Sequence, residues 1–118
     1  MSREIPLTIT RTPRLAGWLS IVIPCYNGAR FVRRAVDSAL SQTWPQVEVV
    51  VVNDGSTDDS AAILAAYGTR IRVVTQPNRG LSAARNSGVR ASRGEFLSFL
   101  DADERAVHRQ AANQLGRA

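Results

Sequence analysis

The apolar positions of this sequence fall into short runs that alternate with helix-period patterns from residue 19 onwards. Runs rich in β-branched residues predict strands, and stretches with apolar positions three and four residues apart predict helices between them. We expect strands at residues 19–23, 47–52, 71–75 and 95–100, and helices at residues 29–42, 58–67 and 81–91.

This alternation predicts an α/β fold, a Rossmann-like parallel sheet of about four strands with flanking helices. The strand at 47–52 is almost continuously apolar, as strands covered on both faces of a parallel sheet tend to be. A strand order of 3-2-1-4 places the switch in strand order between the first and fourth strands, where open α/β sheets bind ligands. We predict an N-terminal extension over residues 1–18, one domain over 19–104 and a divergent tail over 105–118.

The net charge of +5 comes from 15 arginines, with no lysine in the chain. A coding bias towards arginine explains this usage, and so does an attraction to phosphate groups, which suit the guanidinium fork. The arginines are spread along the chain, which argues against a nucleic-acid partner. A receiver-like signalling domain is another small α/β fold with clustered acidic residues. Such a domain is expected to have a lysine at a late strand end, and this chain has no lysine.

Other features narrow the class of protein. The longest aliphatic run, residues 49–52, is far shorter than the roughly 20 residues of a membrane span. The N-terminal stretch lacks the apolar core of a signal peptide, so we expect a cytoplasmic protein, at most peripheral at the inner membrane face. The lone Cys25 gives no disulfide framework, and the lone His108 is expected to be a solvated surface residue.

Polar segments follow three of the predicted strands, at residues 24–28, 53–56 and 101–103. Because the carboxyl ends of parallel strands meet at one edge of a sheet, we expect the three segments to form one cleft. Asp101 and Asp103 repel each other unless a cation lies between them, and Mg²⁺ or Mn²⁺ prefers such oxygen-rich sites. The alternative is that Asp101 ends the strand and Asp103 caps a helix.

Three further features each have two interpretations. The segment 78–88 offers a helix start and Arg85 to a phosphate, or is a turn followed by a closely packed helix. Asp54 accepts a hydrogen bond from a base or ribose, or closes an Asx turn with Ser56. Tyr26 stacks on a base or packs in the core. The residues alone do not decide between these interpretations.

Four motifs, SIVIPCYNGARFVRRAVDSALSQT, EVVVVNDGSTDDS, NRGLSAARNSG and GEFLSFLDADE, cover residues 20–104. Together they resemble the nucleotide-sugar-binding half of a family 2 glycosyltransferase with the GT-A fold. The resemblance implies a metal-dependent enzyme that transfers a sugar, with inversion, from a nucleotide diphosphate donor to an acceptor. The donor implied is most often a UDP-sugar, whereas the acceptor is unknown.

The resemblance also implies roles for single residues. Asp103 would ligate the divalent metal, Mn²⁺ or Mg²⁺, that bridges the diphosphate and stabilises it as it departs. Arg85 would approach the nucleotide, and Asp101 would lie near the ribose. The full nucleotide-binding set implied is Pro24, Tyr26, Asn27, Asp54, Arg85 and Asp101.

The sequence departs from the family after Asp103. Family members continue with strands that bind the acceptor and with an acidic general base, and no residue here matches that base. The alternative function is therefore a non-catalytic nucleotide-sugar-binding module or an inactive truncated remnant. The fourth strand is expected to be an exposed edge, which predicts aggregation, dimerisation or a tail that folds over it.

Overall fold

The computed structural model describes residues 14–102 and 116–117. In these residues one sheet has the strand order β3-β2-β1-β4-β5, with β1 to β4 parallel and β5 antiparallel to β4. The predicted α/β fold and its 3-2-1-4 order are confirmed. The strands are β1 (Leu15–Cys25), β2 (Val47–Asp54), β3 (Arg72–Gln76), β4 (Gly94–Phe99) and β5 (Gly116–Arg117). The helices are α1 (Val32–Leu40), α2 (Ser60–Ala65) and α3 (Leu81–Ala91), with a 3-10 helix at Gly68–Arg70.

Both faces of the sheet are covered, because successive side chains of a strand point to opposite faces. On one face, β1 and β2 pack against the buried side of α1 and against Leu64 of α2. On the other face, Gly88 of α3 lies directly on Val22, and a Cβ at position 88 would overlap the Val22 side chain. The strand residues of the first face are Leu19, Ile21, Ile23, Val49 and Val51.

Strand β1 is longer at both ends than the predicted 19–23. It begins at Leu15 and continues through Pro24, which stays in register with Val52 although it has no N–H to donate. The additional N-terminal part contains Gly17, whose φ of +81° accompanies a shift in register against β4. Trp44 fixes this irregular part, since its Nε1 lies 2.8 Å from the Gly17 carbonyl oxygen. Without a β-branched run, residues 15–18 gave no strand signal in the sequence.

The first two helices are shorter than predicted, whereas α3 has the predicted bounds. Helix α1 begins at Val32 because the preceding residues form a turn, in which the N–H groups of Phe31 and Val32 both donate to the Gly28 carbonyl. Helix α2 ends at Ala65, and the chain continues through a turn into the 3-10 helix. Within the described ranges, no helix has the length and apolar character to cross a membrane.

The outer edge of β4 is partly covered. Strand β5 pairs with it at Phe96 and Leu97, so two residues from the tail add a fifth strand. Of the three outcomes expected for this edge, a tail that folds over it is the one found here, and self-association remains a prediction. Asp103 and His108 lie outside the described residues.

Candidate functional site

A cavity of about 350 Å³ opens at the carboxyl ends of β1, β2 and β4. It lies at the switch in strand order, between β1 and β4, where ligands of open α/β sheets bind. The three polar segments predicted to converge meet here, joined by the turn that precedes α3. The lining residues are Pro24, Cys25, Tyr26, Asp54, Asn78, Gly80, Leu81, Ala84, Asp101 and Ala102.

The structure brings four of the six predicted nucleotide-binding residues to the cavity wall. Asn27 follows Tyr26 in the chain. Arg85 follows the lining residue Ala84 and contacts Asp101. Asp103, the predicted metal ligand, is outside the described residues. The part each residue plays towards a nucleotide remains a prediction. The four that line the cavity themselves are Pro24, Tyr26, Asp54 and Asp101.

Tyr26 is an exposed side chain on the cavity wall, not a core residue. It is 54% exposed, so the interpretation that it packs in the core is wrong. Leu81, at the first position of α3, also lines the cavity and is 51% exposed. Exposed apolar side chains grouped at a cavity are typical of binding surfaces. The ring of Tyr26 is therefore accessible for stacking.

Asp54 is a buried anion, only 2% exposed, that organises the turn before α3. Gln76 Nε2 and the Arg79 N–H nitrogen each lie 2.9 Å from its Oδ1. Asn78 Nδ2 and the Gly80 N–H nitrogen lie 3.1 and 2.9 Å from its Oδ2. Burial alone would raise the pKa of Asp54, but the hydrogen bonds from Gln76 and from the Arg79 and Gly80 amides, with the charge of Arg79, lower it below its ordinary value. The ionised carboxylate thus fixes residues 76–80 against β2.

The turn after β2 is closed by a different residue from the one considered. Asn53 Oδ1 accepts from the Ser56 N–H at 3.1 Å, so the interpretation that Asp54 forms the Asx turn with Ser56 is wrong. Gly55 has a φ of +73°, and a Cβ on it would lie 2.5 Å from the Asn78 backbone nitrogen. Glycine is therefore required here both for the backbone conformation and for the close approach of the next turn.

Asn78 is a cavity residue to which sequence reasoning assigned no role. Its Nδ2 donates to both the Oδ2 and the carbonyl oxygen of Asp54, each at 3.1 Å. These two bonds use both hydrogens of the amide and fix its orientation, which leaves Oδ1 as the acceptor. The sequence did indicate this position, because Asn78 follows β3 just as the other polar segments follow β1, β2 and β4.

Arg85 supplies positive charge beside Asp101. Its Nη2 lies 3.4 Å from Asp101 Oδ1, and its guanidinium carbon lies 5.9 Å from the centre of the Phe99 ring. The two charged side chains are 41% and 38% exposed, so the pair is accessible to solvent. Arg85 Nε is buried and, in the part of the chain described, makes no hydrogen bond.

Among the described residues, Asp101 is the candidate ligand for a divalent cation. Asp101 lines the cavity with a partly exposed carboxylate, the hard oxygen donor that Mg²⁺ and Mn²⁺ prefer. Asp54, in contrast, already accepts four hydrogen bonds. Over residues 14–102 and 116–117, no three or more His, Cys, Asp or Glu side chains form a metal cluster. Asp103, which the resemblance implies as the metal ligand, lies outside these residues.

A parallel α/β sheet with a cavity at its strand-order switch defines a class of domain that binds ligands at that point. The chain matches the Glycosyl transferase family 2 model over residues 20–114, and it belongs to that family. It is 43% identical over 86 residues to an uncharacterized glycosyltransferase of Rickettsia prowazekii, covering 73% of this chain and 27% of the relative. It is 44% identical over 89 residues to the uncharacterized glycosyltransferase EpsJ of Bacillus subtilis, covering 73% and 26%.

Solved structures show the same fold. TarS residues 1–349 of S. aureus, in complex with UDP-GlcNAc, match with a TM-score of 0.67 and 32% identity over 72% of this chain and 26% of that one. The mannosyltransferase PcManGT of Pyrobaculum calidifontis, in complex with GDP-Man and Mn²⁺, matches with a TM-score of 0.67 and 27% identity over 80% and 30%. These are GT-A glycosyltransferases. The chain thus spans about a quarter to a third of the length of each of these four proteins.

Proposed function

We propose that this chain carries the donor-binding half of a metal-dependent, inverting glycosyltransferase. The donor is a nucleotide diphosphate sugar, in the simplest case a UDP-sugar, and the acceptor is unidentified. The observation that carries the proposal is the cavity at the strand-order switch, which residues from three strand ends line. Similar structures in complex with UDP-GlcNAc, UDP and GDP-Man support a nucleotide-sugar donor.

The base and ribose are proposed to lie between β1, β2 and the turn before α3. Tyr26 offers an exposed ring for stacking, and the Oδ1 of Asn78 offers an acceptor for a base N–H group. Pro24 lies at the end of β1, just before Tyr26, and Asn27 follows Tyr26 in the loop. Asp54 is proposed to serve this site through the turn that its four hydrogen bonds fix.

The diphosphate and its metal are proposed to lie towards β4. Arg85 places a guanidinium there, which suits phosphate oxygens, and Asp101 with Asp103 would hold Mn²⁺ or Mg²⁺. A bound divalent metal would offset the negative charge that develops on the departing diphosphate. Manganese in the complexes of two similar structures supports this choice of cofactor.

The alternative is a module that binds nucleotide sugars without transferring them. Two acidic residues line the described cavity, Asp54 and Asp101. Asp54 accepts four hydrogen bonds from its own chain and Asp101 faces Arg85, so neither is a free general base for an acceptor hydroxyl. Donor binding without release of UDP in the presence of acceptors would favour this alternative.

The proposed location is the cytoplasm, with the inner membrane face as a surface to which the protein attaches. Exposed arginines on α1 and in the turn before it support an attraction to anionic lipid headgroups. These are Arg30, Arg33 and Arg34. Sedimentation with anionic and with neutral vesicles would distinguish attachment from a purely aqueous location.

The experiment that tests the proposed function is a calorimetric titration of the chain with UDP, with and without Mn²⁺, and with GDP for comparison. We expect UDP to bind with Mn²⁺ and to bind much more weakly without it. The Asp103→Asn variant should lose this metal dependence, whereas Asp59→Asn, an exposed carboxylate outside the cavity, should not. Absence of binding by a folded, monodisperse chain would refute the donor site.

A further inference from the structure

The loop at residues 26–29, between β1 and α1, is held by side chains of the loop that follows β2. The N–H groups of residues 27–29 are three consecutive donors, and each of them donates to a side-chain oxygen. The acceptors, in the same order, are Ser56 Oγ at 2.9 Å, Ser60 Oγ at 3.1 Å and Asp58 Oδ2 at 3.1 Å. The two loops are thus joined along their length.

Each of the two loops also accepts a hydrogen bond from the other, so the contact is reciprocal. Asn27, with a left-handed φ of +50°, accepts at its Oδ1 from the Thr57 N–H at 2.7 Å. Asp58 bridges the loops, since one carboxylate oxygen binds the Ala29 N–H and the other binds the Ser60 N–H at 2.9 Å. Hydrogen bonding from the Ser60 side chain, and from the Ser60 and Ala29 amides, lowers the pKa of Asp58 below its ordinary value despite some burial. Asp58 is therefore an anion at neutral pH.

Consecutive backbone N–H groups after a strand commonly form a cradle for phosphate in α/β proteins. In this chain the cradle is filled internally by a carboxylate and two hydroxyls from residues 56–60. The loop thus has no backbone donor at residues 27–29 to offer to a diphosphate. Its contribution to the cavity is the wall that it forms.

That wall reaches two parts of the cavity. Tyr26 lines the cavity at one end of the loop. Gly28 packs against Ala102, because a Cβ on Gly28 would lie 3.4 Å from the Ala102 Cβ and 3.3 Å from Cys25 Sγ. The loop therefore supports both the exposed aromatic ring and the segment between the two aspartates of the D-x-D motif. Asp58 itself does not line the cavity.

We propose that Asp58 is a positioning residue for donor binding, with Ser56 and Ser60 as its partners. Its carboxylate locks the loop at residues 26–29, so that Tyr26 and Ala102 are held in place before a nucleotide arrives. This inference rests on the proposed donor site. It assigns a function to Asp58, within the DGSTDDS motif, without any contact between Asp58 and the ligand.

The test combines UDP affinity with amide hydrogen exchange in the Asp58→Ala variant. We expect UDP with Mn²⁺ to bind about tenfold more weakly, as the loss of charge-assisted hydrogen bonds implies. The amides of residues 27–29 should exchange faster in the absence of ligand. Asp59→Ala, which removes a neighbouring exposed carboxylate with no side-chain capping bond, is the matched control.

Two readouts separate positioning from a general loss of stability. In a Tyr26→Ala background, the Asp58→Ala change should weaken UDP binding much less than it does in the wild type, because the two residues act through one loop. Formate, compared with chloride at equal ionic strength, should partly restore UDP binding to Asp58→Ala by filling the vacant carboxylate position.

If Tyr26→Ala and Asp58→Ala weaken UDP binding additively and formate restores none of it, the inference is overturned. Unchanged hydrogen exchange of the amides of residues 27–29 in Asp58→Ala would also overturn it. A wild-type chain that is folded but does not bind UDP would instead overturn the proposed function, and with it the effect on donor binding. Hydrogen exchange would still report whether Asp58 locks the loop, so the two failures are distinguishable.

Discussion

The guanidinium of Arg85 lies 3.4 Å from the carboxylate of Asp101, across the junction between α3 and the end of β4. The first aspartate of the D-x-D motif therefore has a positive partner supplied by the chain. Because both side chains are partly exposed, the ion pair itself contributes little to stability. Of the two residues, Asp101 lines the cavity.

We predict that Arg85→Gln weakens the binding of UDP with Mn²⁺ by about tenfold, the loss expected when a charge-assisted hydrogen bond is removed. Arg85→Lys should lose part of this affinity, since lysine keeps the charge but not the planar fork. Titration calorimetry at fixed salt concentration measures both effects.

Arg90→Gln is the matched control for this prediction. Arg90 lies on the same helix, is exposed, and donates to Ser87 Oγ at 3.1 Å, away from the cavity lining. Equal losses in Arg85→Gln and Arg90→Gln would show that only the net charge of the chain matters.

A second prediction concerns Glu48, which holds the amino-terminal side of the sheet together. Its Oε2 accepts from Ser20 Oγ and from the Arg93 N–H, both at 2.6 Å. Its Oε1 pairs with Arg72 Nη1 at 3.2 Å. We expect Glu48→Gln to lower the free energy of unfolding by about 2 kcal/mol, since it removes a buried charge from partly exposed partners. Urea denaturation measures this, with the exposed Asp59→Asn as the control.

Glu48 also predicts how stability depends on pH. Burial alone would raise the pKa of Glu48, but hydrogen bonds from Ser20 and Arg93 and the charge of Arg93 lower it below the ordinary value of 4.5. The unfolded chain therefore binds a proton more readily, so the stabilisation is complete above pH 4.5 and is lost as pH falls through the lower folded pKa. Glu48→Gln should flatten this part of the stability curve. Identical curves for the two proteins would contradict the assignment.

The third prediction concerns Tyr67, which joins α1 to the chain after α2. Its hydroxyl lies 2.6 Å from Asp37 Oδ1. Burial, and then the hydrogen bond and charge of Asp37, raise the pKa of Tyr67 to about 12 from 10.0. The protonated phenol is favoured in the folded chain, so its stabilisation is complete below pH 10.0 and is lost as pH rises through about 12.

Ultraviolet titration of the Tyr26→Phe variant isolates this group, because the chain has two tyrosines. Adding Asp37→Asn should move the pKa of Tyr67 back towards 10.0, since the neighbouring charge is removed. An unchanged titration in the double variant would show that Asp37 does not cause the shift.

Much of the fold was predictable because the apolar pattern follows the strands and helices closely. The continuous apolar run of β2 and the small-residue helix α3 gave the correct elements, and α3 has the predicted bounds. The start of β1 was not predictable, because Gly17 and Trp44 hold it through a tertiary hydrogen bond. The late start of α1 likewise depends on a turn that begins at Gly28.

The location of the candidate site was predictable from the sequence, but its hydrogen-bond network was not. The sequence placed polar segments at the ends of β1, β2 and β4, and the cavity lies there. It did not reveal that Asp54 is enclosed by residues 76–80, or that Asp58 binds the loop after β1. Such bonds join segments about 25 to 30 residues apart, and residue types alone do not encode which donors meet which acceptors.

The last prediction tests how closely α3 must approach β1 to complete the cavity. A Cβ at position 88 would overlap the Val22 side chain, so Gly88→Ala has to push α3 away from the sheet. We expect a loss of about 1–3 kcal/mol in unfolding free energy from this overpacking, although alanine favours the helix itself by up to about 1 kcal/mol.

The double variant Val22→Ala/Gly88→Ala separates the two effects. Removing the Val22 methyl groups makes room for the new Cβ, so the double variant should be more stable than the sum of the single losses predicts. Because Leu81, Ala84 and Arg85 move with α3, UDP affinity should fall in Gly88→Ala and partly recover in the double variant. Additive losses in stability would mean that position 88 is limited by something other than Val22.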